Sequence, residues 1–217
     1  MAYASIAHVS AVSVAGNTIV TAGIDTTGAN LLLAWVANET GFGGAALTDS
    51  KGNTWTATTT ITESPEEGIL YYSIPSSVGA AHTFTATATG ARPSIAVSAF
   101  SGSSAQPLDQ QASNSSAAAG TTLTTGSITP TEAHELVAAC YATRSQSGTL
   151  SIDGGFTIGS QTDGDGANNQ SIGIAYLIQT AAAAANPTWT STNSVGVKIA
   201  KIASFKIPSA GMFLVMF

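Results

Sequence analysis

Hydrophobic positions in this 217-residue chain recur with period two or in short unbroken apolar runs, and Gly, Pro, Asn and Asp interrupt them about every 8 to 12 residues. This punctuation predicts strands at 18–22, 31–38, 54–60, 69–74, 82–88 and 94–101, with a second set beginning near 121. The stretch His82-Thr83-Phe84-Thr85-Ala86-Thr87-Ala88 alternates as a half-buried strand does, and Thr suits a pleated surface. Helical pattern is nearly absent. Residues 180–185 are alanine-rich, but Asn186-Pro187 ends that stretch at once.

The strand pattern repeats. Ala15-Gly16-Asn17-Thr18-Ile19-Val20-Thr21 aligns with Ala119-Gly120-Thr121-Thr122-Leu123-Thr124-Thr125, and without a gap Ile24 meets Ile128 and Leu32-Leu33-Ala34 meets Leu136-Val137-Ala138. After a one-residue shift, Gly68-Ile69-Leu70-Tyr71 meets Gly173-Ile174-Ala175-Tyr176, Thr83-Phe84-Thr85 meets Thr188-Trp189-Thr190, and Phe100 meets Phe205. Between them, Gly52-Asn53-Thr54-Trp55-Thr56 corresponds to Gly154-Gly155-Phe156-Thr157. The expected fold is therefore all-β: a jelly-roll-like antiparallel β-sandwich with internal duplication. Its halves, about 1–100 and 119–207, are joined by a loop at 101–118, and an apolar tail follows at 208–217. A single sandwich with interleaved halves is favoured, because a half with so few large side chains would have a thin core; two tandem small sandwiches are the alternative. Matched residues, such as Tyr71 with Tyr176 and Phe100 with Phe205, should occupy equivalent sites.

Composition narrows the function. Charged residues make up only 8% of the chain, against roughly a quarter in ordinary soluble proteins, and neutral Thr, Ser, Asn, Gly and Ala take their place. Such surfaces fit secreted proteins and proteins packed into large assemblies. Six basic against twelve acidic residues, with no cluster of Lys or Arg, exclude nucleic acid as a partner. The single cysteine, Cys140, cannot form an intramolecular disulfide and lies in an apolar run, where it is expected to be a buried, inert thiol. The first residues lack the basic and apolar regions of a signal peptide, and no apolar run is long enough to span a bilayer. Exterior-type composition without a leader fits release by lysis, as for virion proteins.

The segment Leu47-Thr48-Asp49-Ser50-Lys51-Gly52-Asn53-Thr54-Trp55, preceded by Asn30-Leu31-Leu32-Leu33-Ala34 and followed by Ile69-Leu70-Tyr71-Tyr72, resembles a β-sandwich module. That module occurs in tailed-bacteriophage structural proteins and bacterial surface proteins. Its usual wording is T-D-S-x-G-N-T-W after an N-D-L-L-V strand. Phe100-Ser101-Gly102 followed by Pro107-Leu108-Asp109 is similar to the module's S-G-x-x-x-x-x-P-L-D with one intervening residue fewer, and Glu135-Leu136-Val137 repeats the strand in the second half. The resemblance covers most of 28–205. It rests on turn and core residues, so it implies a fold more than a function. The chain departs from it at Ala29-Asn30, where N-D is expected, and in the second-half turn, which lacks the Asn and Trp.

Candidate chemistry is sparse. Asp49 and Asn53 close an Asx-type turn in which Gly52 supplies positive φ; the sharper alternative is a carbohydrate site using Asp49 and Asn53 with Trp55 as a stacking platform. Asp163, Asp165 and Asn168 offer hard oxygen ligands of the kind calcium selects, but Ala167 and Ile174 break the EF-hand pattern, so a structural calcium is the only cofactor considered. Glu63-Ser64-Pro65-Glu66-Glu67 reads as a solvated turn. His8, His82 and His134 lack metal-ligand spacing, and no nucleophile elbow or P-loop occurs. No enzyme is expected. The tail carries six consecutive apolar residues, Met212 to Phe217, which need cover. Phe213, Leu214 and Phe217 are the expected subunit contacts, toward other virion proteins or copies of the chain. The expected role is a virion structural protein of a tailed bacteriophage, with no membrane span. The alternative is a carbohydrate-binding adhesion module, extracellular or on a bacterial surface, that binds glycans.

Overall fold

A computed structural model of the chain describes residues 2–39, 45–88, 92–144, 146–164 and 170–208. Seventeen strands and no helix occur among them. The first half holds β1 (Ala4–Val12), β2 (Thr18–Val20), β3 (Leu31–Glu39), β4 (Ala45–Asp49), β5 (Thr56–Ala57), β6 (Ile61–Glu63), β7 (Glu66–Ser73), β8 (Phe84–Ala88) and β9 (Ser94–Ser101). The second holds β10 (Leu108–Ser116), β11 (Gly120–Thr124), β12 (Leu136–Thr143), β13 (Leu150–Ile152), β14 (Thr157–Thr162), β15 (Ser171–Ile178), β16 (Thr188–Val195) and β17 (Lys198–Phe205). Residues 180–185 form no helix.

Each half winds as a jelly roll. The first half has a large sheet ordered β1-β9-β3-β7-β5, with β6 also on β7, and a small sheet ordered β2-β8-β4. The second has β10-β17-β12-β15-β14 and β11-β16-β13, the same order strand for strand, with every pairing antiparallel. No strand of one half pairs with a strand of the other among the described residues. The arrangement is thus the tandem one, and the halves do not interleave. The thin-core objection is met differently: the two large sheets pack face to face, so the molecule is four layers deep with the small sheets outermost. Leu31, Leu33, Trp35, Leu70 and Phe100 from one half join Leu136, Ala138, Cys140, Ile174 and Phe205 from the other in this central core. The opposite faces, with Leu32, Ala34 and Val36 on one side and Ala139 and Tyr141 on the other, cover the small sheets. Burial on both faces is why 31–37 and 136–142 read as continuous apolar runs rather than alternating ones.

The presumed connecting loop is mostly strand. β10 pairs with β17 along one edge of its sheet as β1 pairs with β9 in the other half, so the duplication begins at β1 and leaves only a short join. The register also corrects the alignment. Leu31 pairs with Phe100 and Leu136 with Phe205, which confirms the phenylalanine match but equates Leu31, not Leu32, with Leu136. A one-residue slip exchanges the two faces of a strand, and Leu32 faces the outer core whereas Leu136 faces the central one. For the same reason Tyr176 corresponds to Tyr72, both packed on the central core, and Tyr71 faces the other way. Matching bridges of Ile24 with His82 and of Ile128 with Ala185 confirm Ile24 against Ile128 and set Ala185 in the place of His82. Trp189 then falls opposite Ala86 rather than Phe84.

Polar groups also lie under the seam between the halves. Glu66, expected in a solvated turn, is fully buried because Gln170 covers it: Gln170 Nε2 donates to Glu66 Oε2 at 2.9 Å, and Ser94 Oγ donates to Gln170 Oε1 at 2.6 Å. Ser115 Oγ donates to Glu63 at 2.7 Å. Lys201 is fully buried, its Nζ donating to Thr59 O at 2.8 Å and Thr59 Oγ1 at 2.9 Å. Burial pushes the Lys201 ammonium down to about 8, from an unfolded value of roughly 10.4. The unfolded chain therefore holds the extra proton between these values, so this lysine costs stability at pH 7 and the cost fades as pH rises through the window. Lys201→Met is expected to raise stability at pH 7 by about 1–2 kcal/mol. Its advantage over the parent chain should shrink between roughly pH 8 and 10, as urea titrations at stepped pH will read. An advantage independent of pH would assign the gain to packing alone.

Candidate functional site

The turn after β4 is organised around one carboxylate. Asp49, whose side chain is fully buried, ends β4, and Gly52 takes φ 74° as the turn requires. Asp49 Oδ1 accepts from Lys51 N at 2.8 Å, Asn53 Nδ2 at 3.2 Å and His82 Nε2 at 2.9 Å, while Oδ2 accepts from Trp55 Nε1 at 2.8 Å. A carboxylate only accepts, so His82 carries its proton on Nε2, and its Nδ1 meets Thr26 Oγ1 at 2.9 Å. Asn53 ties the turn to the 74–81 loop: its Nδ2 donates to Ser77 O at 2.9 Å and its Oδ1 accepts from Ser77 N at 3.0 Å. Trp55 is half-buried on the outer core and meets Phe84 edge to face at 6.1 Å. Burial raises the Asp49 carboxyl, but the hydrogen bonds from His82, Trp55, Lys51 and Asn53 outweigh it and hold the group below the usual carboxylate range.

Asp49, Asn53 and Trp55 are thus brought together, as the carbohydrate alternative requires, but both carboxylate oxygens of Asp49 and the indole N–H are engaged within the fold. His82 belongs to the cluster and was missed, because a lone histidine in an alternating strand carries no spacing signal. Of the three candidate calcium ligands, Asp163 accepts at Oδ1 from Ser171 Oγ at 2.6 Å and Ser147 N at 2.8 Å, which fastens the β12–β13 connection to β15. Asp165 and Asn168 lie outside the described residues. No group of three or more His, Cys, Asp or Glu placed to hold a metal occurs among the described residues.

At the seam, His8 is wedged between the halves. Its Nδ1 meets Ser98 Oγ at 2.8 Å, its ring stacks on Tyr176 at 5.4 Å, and a Cβ at Gly159 would collide with it. Cys140 is buried, and burial raises its thiol. Phe213, Leu214 and Phe217 lie outside the described residues; the chain before them leaves the central core at Ile207, which is half-buried against it. No helix of the described residues is long and apolar enough to cross a membrane. No protein-family model, curated protein or solved structure matches the chain.

Proposed function

We propose that the chain is a non-enzymatic structural protein of a tailed-bacteriophage virion, a capsid decoration, head-fibre or tail-associated component, that works by packing against neighbouring proteins. The observation that carries this reading is the character of the two outermost faces. On the small sheet of the first half, Thr18 stands opposite Thr87, which stands opposite Ala46, and Val20, Thr85 and Thr48 form the next row. On the second, Thr122, Thr190 and Ser151 form one row, and Thr124 stands opposite Thr188. All are exposed or half-exposed, and none is charged. Several of the few charges lie inside: the side chains of Asp49, Glu66, Lys198 and Lys201 are buried, three of them in hydrogen bonds to backbone groups. Neutral, hydroxyl-rich faces carry little repulsion toward a neighbour and bury no charge on contact, which suits a subunit of a crowded shell.

The apolar tail adds an anchor to this reading. Full removal from water gains roughly 1.5–3 kcal/mol per large side chain, so Phe213, Leu214 and Phe217 together would contribute about 4.5–9 kcal/mol against the cost of ordering the segment. Truncation after Ala210 is expected to leave thermal unfolding unchanged while abolishing co-sedimentation with assembled particles. Mass spectrometry of purified virions should contain the full-length chain in stoichiometric amount. Absence from the particles, or a truncated chain that unfolds while the full-length one is monomeric, would sink the proposal.

A further inference from the structure

Divergence between the two halves has opened a cavity in the second where the first is filled. In the first half, the space between the β4–β5 turn and the 74–81 loop is occupied by His82, Trp55 and the Asn53–Ser77 pair, all converging on Asp49. In the second half, the place of His82 is taken by Ala185. The corresponding β13–β14 turn is Asp153-Gly154-Gly155-Phe156, with neither Asn nor Trp. A cavity of about 620 Å³ lies there, between this turn and the 179–187 loop.

We infer that this cavity is a binding site for a neutral saccharide unit of one or two rings. Its volume falls within the range of small-ligand sites. Phe156, half-buried, offers an aromatic wall for the apolar face of a pyranose, with Leu177 and Pro187 beside it. Polar groups stand around that wall. Asp153 is exposed and uses Oδ1 to accept from Thr188 N at 2.7 Å, Asn186 presents an exposed amide, and Gln179 is 7% exposed. Gln179 also lines the cavity; its Nε2 holds the loop through Ala183 O at 3.0 Å, while its Oε1 is buried without a hydrogen-bond partner among the described residues. One carboxylate and no cation line the site, which disfavours phosphates, nucleotides and acidic sugars and leaves hydroxyl-rich neutral ligands as the class it suits. The site is separate from the Asp49 turn and does not depend on a virion role.

The test is a ¹⁵N-resolved titration of the full chain with the methyl glycosides of glucose, galactose, mannose, rhamnose, N-acetylglucosamine and N-acetylgalactosamine. At least one is expected to saturate with a dissociation constant in the millimolar range or below, shifting amides of 153–156 and 177–187 and leaving 49–55 unmoved. Ala184→Trp, on the exposed loop, should fill the cavity and abolish those shifts while the remaining spectrum is retained. Phe156→Ala should weaken binding about tenfold or more. No saturable shift with any of the six at about 50 mM, shifts confined to other surfaces, or affinity unchanged in both variants would each overturn the inference.

Discussion

Trp35→Ala is expected to lower unfolding stability by about 3–5 kcal/mol, read by guanidinium denaturation. Trp35 is among the largest fully buried side chains, and it sits between the halves rather than inside one of them. Its Nε1 donates to Tyr141 O at 3.1 Å, so a residue of β3 hydrogen-bonds a strand of the other half. Truncation would remove the indole volume from a core that both large sheets share and would strip Tyr141 O of that donor. The parent chain should unfold in one cooperative transition, because neither half can lose its large sheet without exposing the face of the other. Two resolved transitions in the parent, or a loss below about 1 kcal/mol in the variant, would show that the central core does not couple the halves.

Gly68 tests the same packing from the opposite direction. The indole lies over this glycine: an added Cβ would collide with Trp35 and stand 2.6 Å from Ile199 Cδ1, an atom of the other half. Gly68→Ala adds only a methyl group to a strand, a change that β-propensity alone favours, yet here overpacking is expected to cost about 1–3 kcal/mol. Combining Gly68→Ala with Trp35→Phe should restore part of the loss, since the smaller ring withdraws from the added methyl. Additive losses in the double variant would mean that the collision is relieved elsewhere.

Strand content, the duplication and the organising role of Asp49 were legible in the sequence because each leaves a local mark: β-branched runs, turn residues at fixed offsets, and an Asx turn with its glycine. The slip between Leu31 and Leu32 was not legible, since a strand apolar on both faces has lost the alternation that would fix its register. The sequence of β10 looks like a connection because Leu108–Ser116 carries one large apolar residue; it is an edge strand, held by its pairing with β17. β1 is half-buried along most of its length and shows no contrast between faces. Glu66 looked solvated because the residue that covers it, Gln170, is 104 positions away. The second-half cavity left the faintest mark of all, resting on Ala185 where the first half has His82.

Asp49→Ala is the second substitution with a large expected effect, about 3–4 kcal/mol, because four donors converge on a side chain that solvent does not reach. Lys51 N, His82 Nε2 and Trp55 Nε1 would each lose an acceptor, and a buried polar group left unpaired costs roughly 1–3 kcal/mol before water enters to relieve it. Trp55 is half-buried while Trp35 and Trp189 are fully buried, so loosening of this turn should appear as a red shift of fluorescence from Trp55 in a chain that remains folded. The pH dependence has a defined sign. A carboxyl held below its ordinary value in the fold contributes stability that is complete above the unfolded value of roughly 3.9 and is lost as pH falls through the lower folded value. The stability gap between the parent chain and Asp49→Asn should therefore be constant near neutrality and close below about pH 4. A gap that persists undiminished to about pH 2 would mean that the turn depends on the shape of the side chain rather than on its charge.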